Sequence, residues 1–159
     1  MSIARKILMT SGGKKDSTYA DDVFSTFLYK GSAGAQSINN GIDLAGEGGL
    51  TWIKVREQVM EHVLFDTERG ATKPLQSNGT TAEVTYSDGL TAFNNNGFTL
   101  GADTSRGVVN EGAAGWNYAS WSFRKAKGFF DVVTYTGSSS ARTISHNLGC
   151  VPGAIFIKK

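Results

Sequence analysis

Leu90-Thr91-Ala92-Phe93-Asn94-Asn95-Asn96-Gly97-Phe98-Thr99-Leu100-Gly101 decides the class of this fold. Phe93, Phe98 and Leu100 place apolar contacts on both sides of Asn96-Gly97, and an Asn-Gly pair between such runs is a strong local signal for a two-residue hairpin. The reading is strand, tight turn, strand. Outward from it the texture persists. Val23-Phe24-Ser25-Thr26-Phe27-Leu28-Tyr29 is rich in aromatic and branched residues and runs into a glycine turn at positions 31–34. Gln36-Ser37-Ile38 predicts a short strand, and residues 39–49 a loop of residues that tolerate positive φ. Leu50-Thr51-Trp52-Ile53-Lys54-Val55-Arg56 largely alternates, so one face is buried, and Trp52 is assigned to it. His62-Val63-Leu64-Phe65-Asp66 reads as a strand. Asn78-Gly79 is a second hairpin signal, with looser alternation through residues 80–86. Trp116 to Arg124 reads as a late central strand. Its parity slips between Tyr118 and Trp121, which fits a bulge there.

Composition agrees. Charged residues are few at 19%, glycines number 20, prolines only 2, and aromatics reach 11%, a balance that favours short strands joined by glycine turns over helices. With 159 residues the chain suits one domain with a core, plus a terminal arm. A formal charge of +2 gives no whole-molecule field to draw nucleic acid or an anionic membrane. The lone Cys150 excludes an intrachain disulfide; in its apolar run it is expected as a small core residue. No apolar run approaches the roughly 18 residues of a membrane span, so a soluble, cytoplasmically made protein is expected.

The chain also repeats itself. Tyr29, Gly31, Ile38 and Asn40 recur as Tyr135, Gly137, Ile144 and His146 at a constant offset, and after a two-residue deletion Trp52-Ile53-Lys54 aligns with Phe156-Ile157-Lys158. Three parts are predicted: an anchor arm and linker at 1–20, a β-sandwich module at 21–134, and at 135–159 either the start of a second copy or the closing strands of the first. The second copy breaks off within a strand-like run, which points to a longer modular chain. In the arm, Ile3, Ile7 and Leu8 share one face of two helical turns too short to be stable alone, and Arg5, Lys6 and Met9 complete a patch suited to docking on a partner protein. An extended arm is the alternative.

For chemistry the inventory is thin. Two histidines and one cysteine offer no nucleophile–base set and no zinc spacing. His146, standing where Asn40 stands in the first copy, reads as a turn-capping residue. Asp66, Glu68, Asp88 and Asp103 are the acids a sugar hydrolase would need, but Asp66-Thr67-Glu68-Arg69-Gly70 reads more simply as an acid and an arginine holding a turn. Asn39, Asn40 and Asp43 crowd oxygens around a glycine loop without the spacing of an EF-hand. Gly46-Glu47-Gly48-Gly49 lacks the lysine of a phosphate loop. No metal or cofactor is expected. Trp116 and Trp121 could stack on a pyranose ring if they stand in solvent; at alternating strand positions they fill a core.

Six segments, Asp21 to Gly31, Gly49 to Lys54, Leu64 to Gly70, Gly89 to Gly101, Tyr118 to Arg124 and Arg142 to Gly149, together resemble a module of tail-fibre and other virion structural proteins of marine and cyanobacterial bacteriophages. The likeness covers residues 21–159. It implies a concanavalin-like or jelly-roll β-sandwich, a module that recurs along the chain, and no catalytic residue to carry over. It also implies the N-terminal attachment region of a tail fibre. The arm would dock on another tail protein, an adaptor, nozzle or baseplate component, and distal modules would face the host, in a homo-oligomer that is usually a trimer. A carbohydrate-binding module for host surface glycan, a head decoration or baseplate protein, and last a sandwich hydrolase remain the other readings.

Overall fold

A computed structural model describes residues 18–112 and 115–158. Eight strands carry the fold: β1 (Phe24–Lys30), β2 (Gln36–Asn39), β3 (Gly49–Val55), β4 (Val63–Asp66), β5 (Leu75–Gln76), β6 (Leu90–Asn94), β7 (Gly97–Leu100) and β8 (Asn117–Arg124). They form an all-β sandwich of two antiparallel sheets, one of five strands in the order β1-β8-β3-β4-β5 and one of three in the order β2-β7-β6. Two single helical turns, α1 (Ala20–Val23) and α2 (Leu44–Glu47), are the described helices. The second interrupts the loop expected at 39–49; the Asp43 carboxylate accepts from the Gly46 amide at 2.8 Å and caps it.

The hairpin around Gly97 forms one residue out of the expected turn. Asn95 and Asn96 make the turn, Asn94 pairs with Gly97 and Phe93 with Phe98. Gly97 belongs to the strand, at φ +136°, because a Cβ there would lie 1.9 Å from the Ile38 carbonyl oxygen of β2.

The period of two decides the layers. In β3 the inward residues are Thr51, Ile53 and Val55, all fully buried, while Leu50, Trp52 and Lys54 are half-buried on the outer face. Trp52 therefore does not sit on the core face. Both faces of this strand are covered, so its alternation identified two sets without saying which was inside. In β8, Tyr118, Ser120 and Ser122 are fully buried, and its register with β1 and β3 runs unbroken, so no bulge intervenes. The slip in parity is a change of face. Tyr118 points into the sandwich, and Trp121 stands opposite Trp52 on the outside.

Ile53, Val55, Phe65, Leu90, Phe98 and Leu100 form the centre of the core, each completely shielded. Burying one such side chain contributes about 1.5–3 kcal/mol. The Asn78-Gly79 hairpin does not form. β5 is two residues long, no strand lies between it and β6, and the Asn78 side chain instead accepts the His62 amide at 3.0 Å. Cys150 is exposed and not in the core, because its apolar run lies outside the sandwich.

Candidate functional site

The acids are committed to loops. Asp66 accepts the Glu68 and Arg69 amides at 3.1 and 2.9 Å and the Arg69 Nε at 2.7 Å, and Arg69 also donates to the Lys73 carbonyl at 2.7 Å. This is the acid and arginine holding a turn. Glu68 pairs with Lys125 at 2.6 Å. Asp88 accepts from the Thr104 amide and hydroxyl and from Ser105 at 3.0 to 3.2 Å; burial raises its pKa, but these donors outweigh burial and hold it below the usual aspartate range.

Asp103 is the most unusual of them. It is fully buried at φ +51°, and its carboxylate accepts the Gly107, Val109 and Asn110 amides at 2.9, 2.6 and 2.7 Å. Burial pushes its carboxyl up in spite of those three donors. Beside it the Asn110 side chain donates to the Gly34 carbonyl at 2.8 Å and accepts the Ser32 amide at 3.0 Å. Tyr118 donates to the Gly107 carbonyl at 2.9 Å, Tyr29 donates to the Val109 carbonyl at 2.7 Å, and the two rings stack at 5.2 Å. This network ties Asp103, Gly107, Val109 and Asn110 to β1, β8 and the turn after β1. Asp103 itself has no exposed surface.

Trp116 and Trp121 are brought to different places. Trp116 packs against the core cluster, whereas Trp121 lies on the outer face of the five-stranded sheet, edge-on to Trp52 at 5.8 Å. They do not share a platform. Trp52 donates its indole N–H to His62 Nδ1 at 3.1 Å, and burial, with Lys54 nearby, lowers the His62 pKa. Phe24, Phe123 and Phe130 continue the aromatic row, at centroid separations of 5.0 and 5.3 Å. The anchor residues Ile3, Arg5, Lys6, Ile7, Leu8 and Met9 fall outside the described residues.

The segment 131–158 carries much of the exposed apolar surface, with Leu28, Val59 and Phe129 exposed outside it. Its loop is closed at the base: the Asn147 amide donates to Asp131 at 2.7 Å and the Gly128 amide to the Leu148 carbonyl at 2.8 Å, with Lys125 3.3 Å from Asp131. Within it the Leu148 amide donates to His146 Nδ1 at 3.2 Å, the same bond that the Ile42 amide makes to Asn40 Oδ1 at 3.2 Å in the first copy. His146 thus caps a turn, as its repeat position suggested. Beyond the loop, Val151, Ile155, Phe156 and Ile157 stand in solvent, and none of residues 131–158 is in a strand.

The chain belongs to the DUF7483 family, a domain of unknown function, across residues 19–159. The DUF7483 match runs through the sandwich and on through the exposed segment. Neither a curated protein nor a solved structure matches the chain. Among the described residues of this DUF7483 chain, no group of three or more His, Cys, Asp or Glu side chains is placed to hold a metal ion, and no helix is long and apolar enough to cross a membrane.

Proposed function

We propose that this DUF7483 chain is a structural, non-catalytic virion protein, the N-terminal attachment region of a bacteriophage tail fibre. One observation carries the structural reading: residues 131–158 repeat the front of the sandwich, and Ile157 stands exposed where its counterpart Ile53 is enclosed, as expected of a module made for an array. The engagement of Asp66, Glu68, Asp88 and Asp103 in holding loops supports it as well. The tail-fibre address rests on the resemblance of the six segments. The arm gains by burying Ile3, Ile7, Leu8 and Met9 against another tail protein, and a trimer would cover the open edge of β1.

The test is incorporation. Deleting residues 2–9 is expected to leave the sandwich folded, with an unchanged urea midpoint, and to remove the protein from purified virions. Normal incorporation of the truncated chain would refute the anchor. A glycan-binding role loses its paired tryptophans, since Trp116 faces the core.

A further inference from the structure

Beside the Val63–Gln76 pair, where β4 meets β5, the surface opens into a hollow of about 230 Å³. Val63, Pro74 and Val108, all buried, and the half-buried Val84 give it an apolar lining, to which Gln76 adds an amide and Thr81 a hydroxyl. Two groups of opposite charge complete it, Glu61 and Arg106.

Each charge is mounted on a tied backbone. Next to Glu61, the His62 amide donates to Asn78 Oδ1 at 3.0 Å and the His62 carbonyl accepts the Ser77 amide at 3.0 Å. Arg106 precedes Gly107, whose amide donates to the buried Asp103 at 2.9 Å, and its guanidinium lies 5.0 Å from the centre of the Tyr86 ring. The stretch carrying Thr81 and Val84 is held as well: Lys73 donates to the Thr85 hydroxyl at 2.8 Å, and Glu83 stands 3.4 Å from Arg69. Arg69, Lys73, Arg124 and Lys125 each have a carboxylate at 2.6 to 3.9 Å. Glu61 and Arg106 differ. Among the described residues neither is in an ion pair, with the other or with a third side chain.

We infer that this hollow is a binding site for a small zwitterion, a free α-amino acid with an aliphatic side chain. Arg106 takes its carboxylate and Glu61 its ammonium through charge-assisted hydrogen bonds, while Val63, Val84 and Val108 receive the side chain. A simple anion would meet Glu61 as a like charge, and a simple cation would meet Arg106 as one; a ligand carrying both signs complements both. Drug-sized ligands occupy roughly 300–1,000 Å³, so the space suits a smaller molecule. The site is independent of the virion address, which incorporation tests separately.

The test is titration of the 159-residue chain with L-leucine, followed by backbone amide chemical shifts. Leucine is expected to shift the amides of residues 61–63, 76, 84 and 106–108 saturably, at roughly millimolar concentration, and to leave those of β1 unchanged. N-acetyl-leucine lacks the ammonium, leucinamide lacks the carboxylate and glycine lacks the side chain, and each is expected to bind about tenfold more weakly or worse. Glu61→Gln should weaken leucine by about tenfold and leave N-acetyl-leucine unchanged, and Arg106→Gln should weaken leucine equally and leave leucinamide unchanged; a general effect on the fold would move every ligand alike. No saturable shift with leucine, or equal binding of leucine and its two capped forms, would overturn the proposal. So would shifts centred outside the hollow. The analogue series in the unaltered chain decides the question even where a variant fails to fold.

Discussion

His62 shows how much one side chain can report. Its Nδ1 accepts the Trp52 indole N–H, so the bond exists only while that nitrogen is unprotonated. Burial, then the charge of Lys54, lowers the pKa in the folded state, with Glu61 opposing. Between the folded value and 6.5 the unfolded chain binds more protons, so stability is present at neutral pH and is lost as pH falls below 6.5. Lowering pH from 7.5 to 5.0 is expected to cost about 0.5–1.5 kcal/mol of stability through this bond, with a change in tryptophan emission. His62→Gln should flatten that part of the urea-midpoint profile; an unchanged profile in the variant would show the bond is idle. The bond was not legible in sequence, because alternation in β3 sorts residues into two faces and both faces of this strand carry apolar groups.

At the scale of elements, the strands were legible and the loops were not. β1, β3, β4, β8 and the β6–β7 hairpin follow from alternation and turn residues that act over a few positions. The network around Asp103 and Asn110 does not, since Asn110 meets Gly34 and Ser32 across more than seventy residues. Asn78-Gly79 failed as a hairpin for a related reason, its asparagine being used by His62 from outside the turn. One loop had a local signature, the repeat of Asn40 by His146, and its closure makes a prediction. Burial raises the Asp131 pKa, but the Asn147 amide and Lys125 more than offset it and hold the carboxyl below the usual 3.8. The loop's stability is therefore present above pH 3.8 and lost as pH falls through the lower folded value. Asp131→Ala is expected to remove about 1.5–3 kcal/mol of local stability, seen as faster exchange at the Asn147 amide, with little change in global unfolding. Equal exchange in the two proteins would show that the loop is closed by other contacts.

For the whole molecule, the repeat places one short motif in two environments. Ile53 is enclosed between the sheets, and Ile157 stands in water. Sequence alone gave the repeat and its offset; it could not show that the second copy is exposed, because exposure depends on a strand that lies far away in the first copy and is not found among the described residues of the second. Ile53 has a β8 neighbour across the sheet, and Ile157 has none among the described residues. The most direct measurement is the urea midpoint of Ile53→Asp set beside that of Ile157→Asp in the 159-residue chain. The expected result is loss of the folded state for Ile53→Asp, from a charge buried without a partner, and a midpoint within about 0.5 kcal/mol of the parent for Ile157→Asp. Comparable destabilisation by both would contradict that difference in environment.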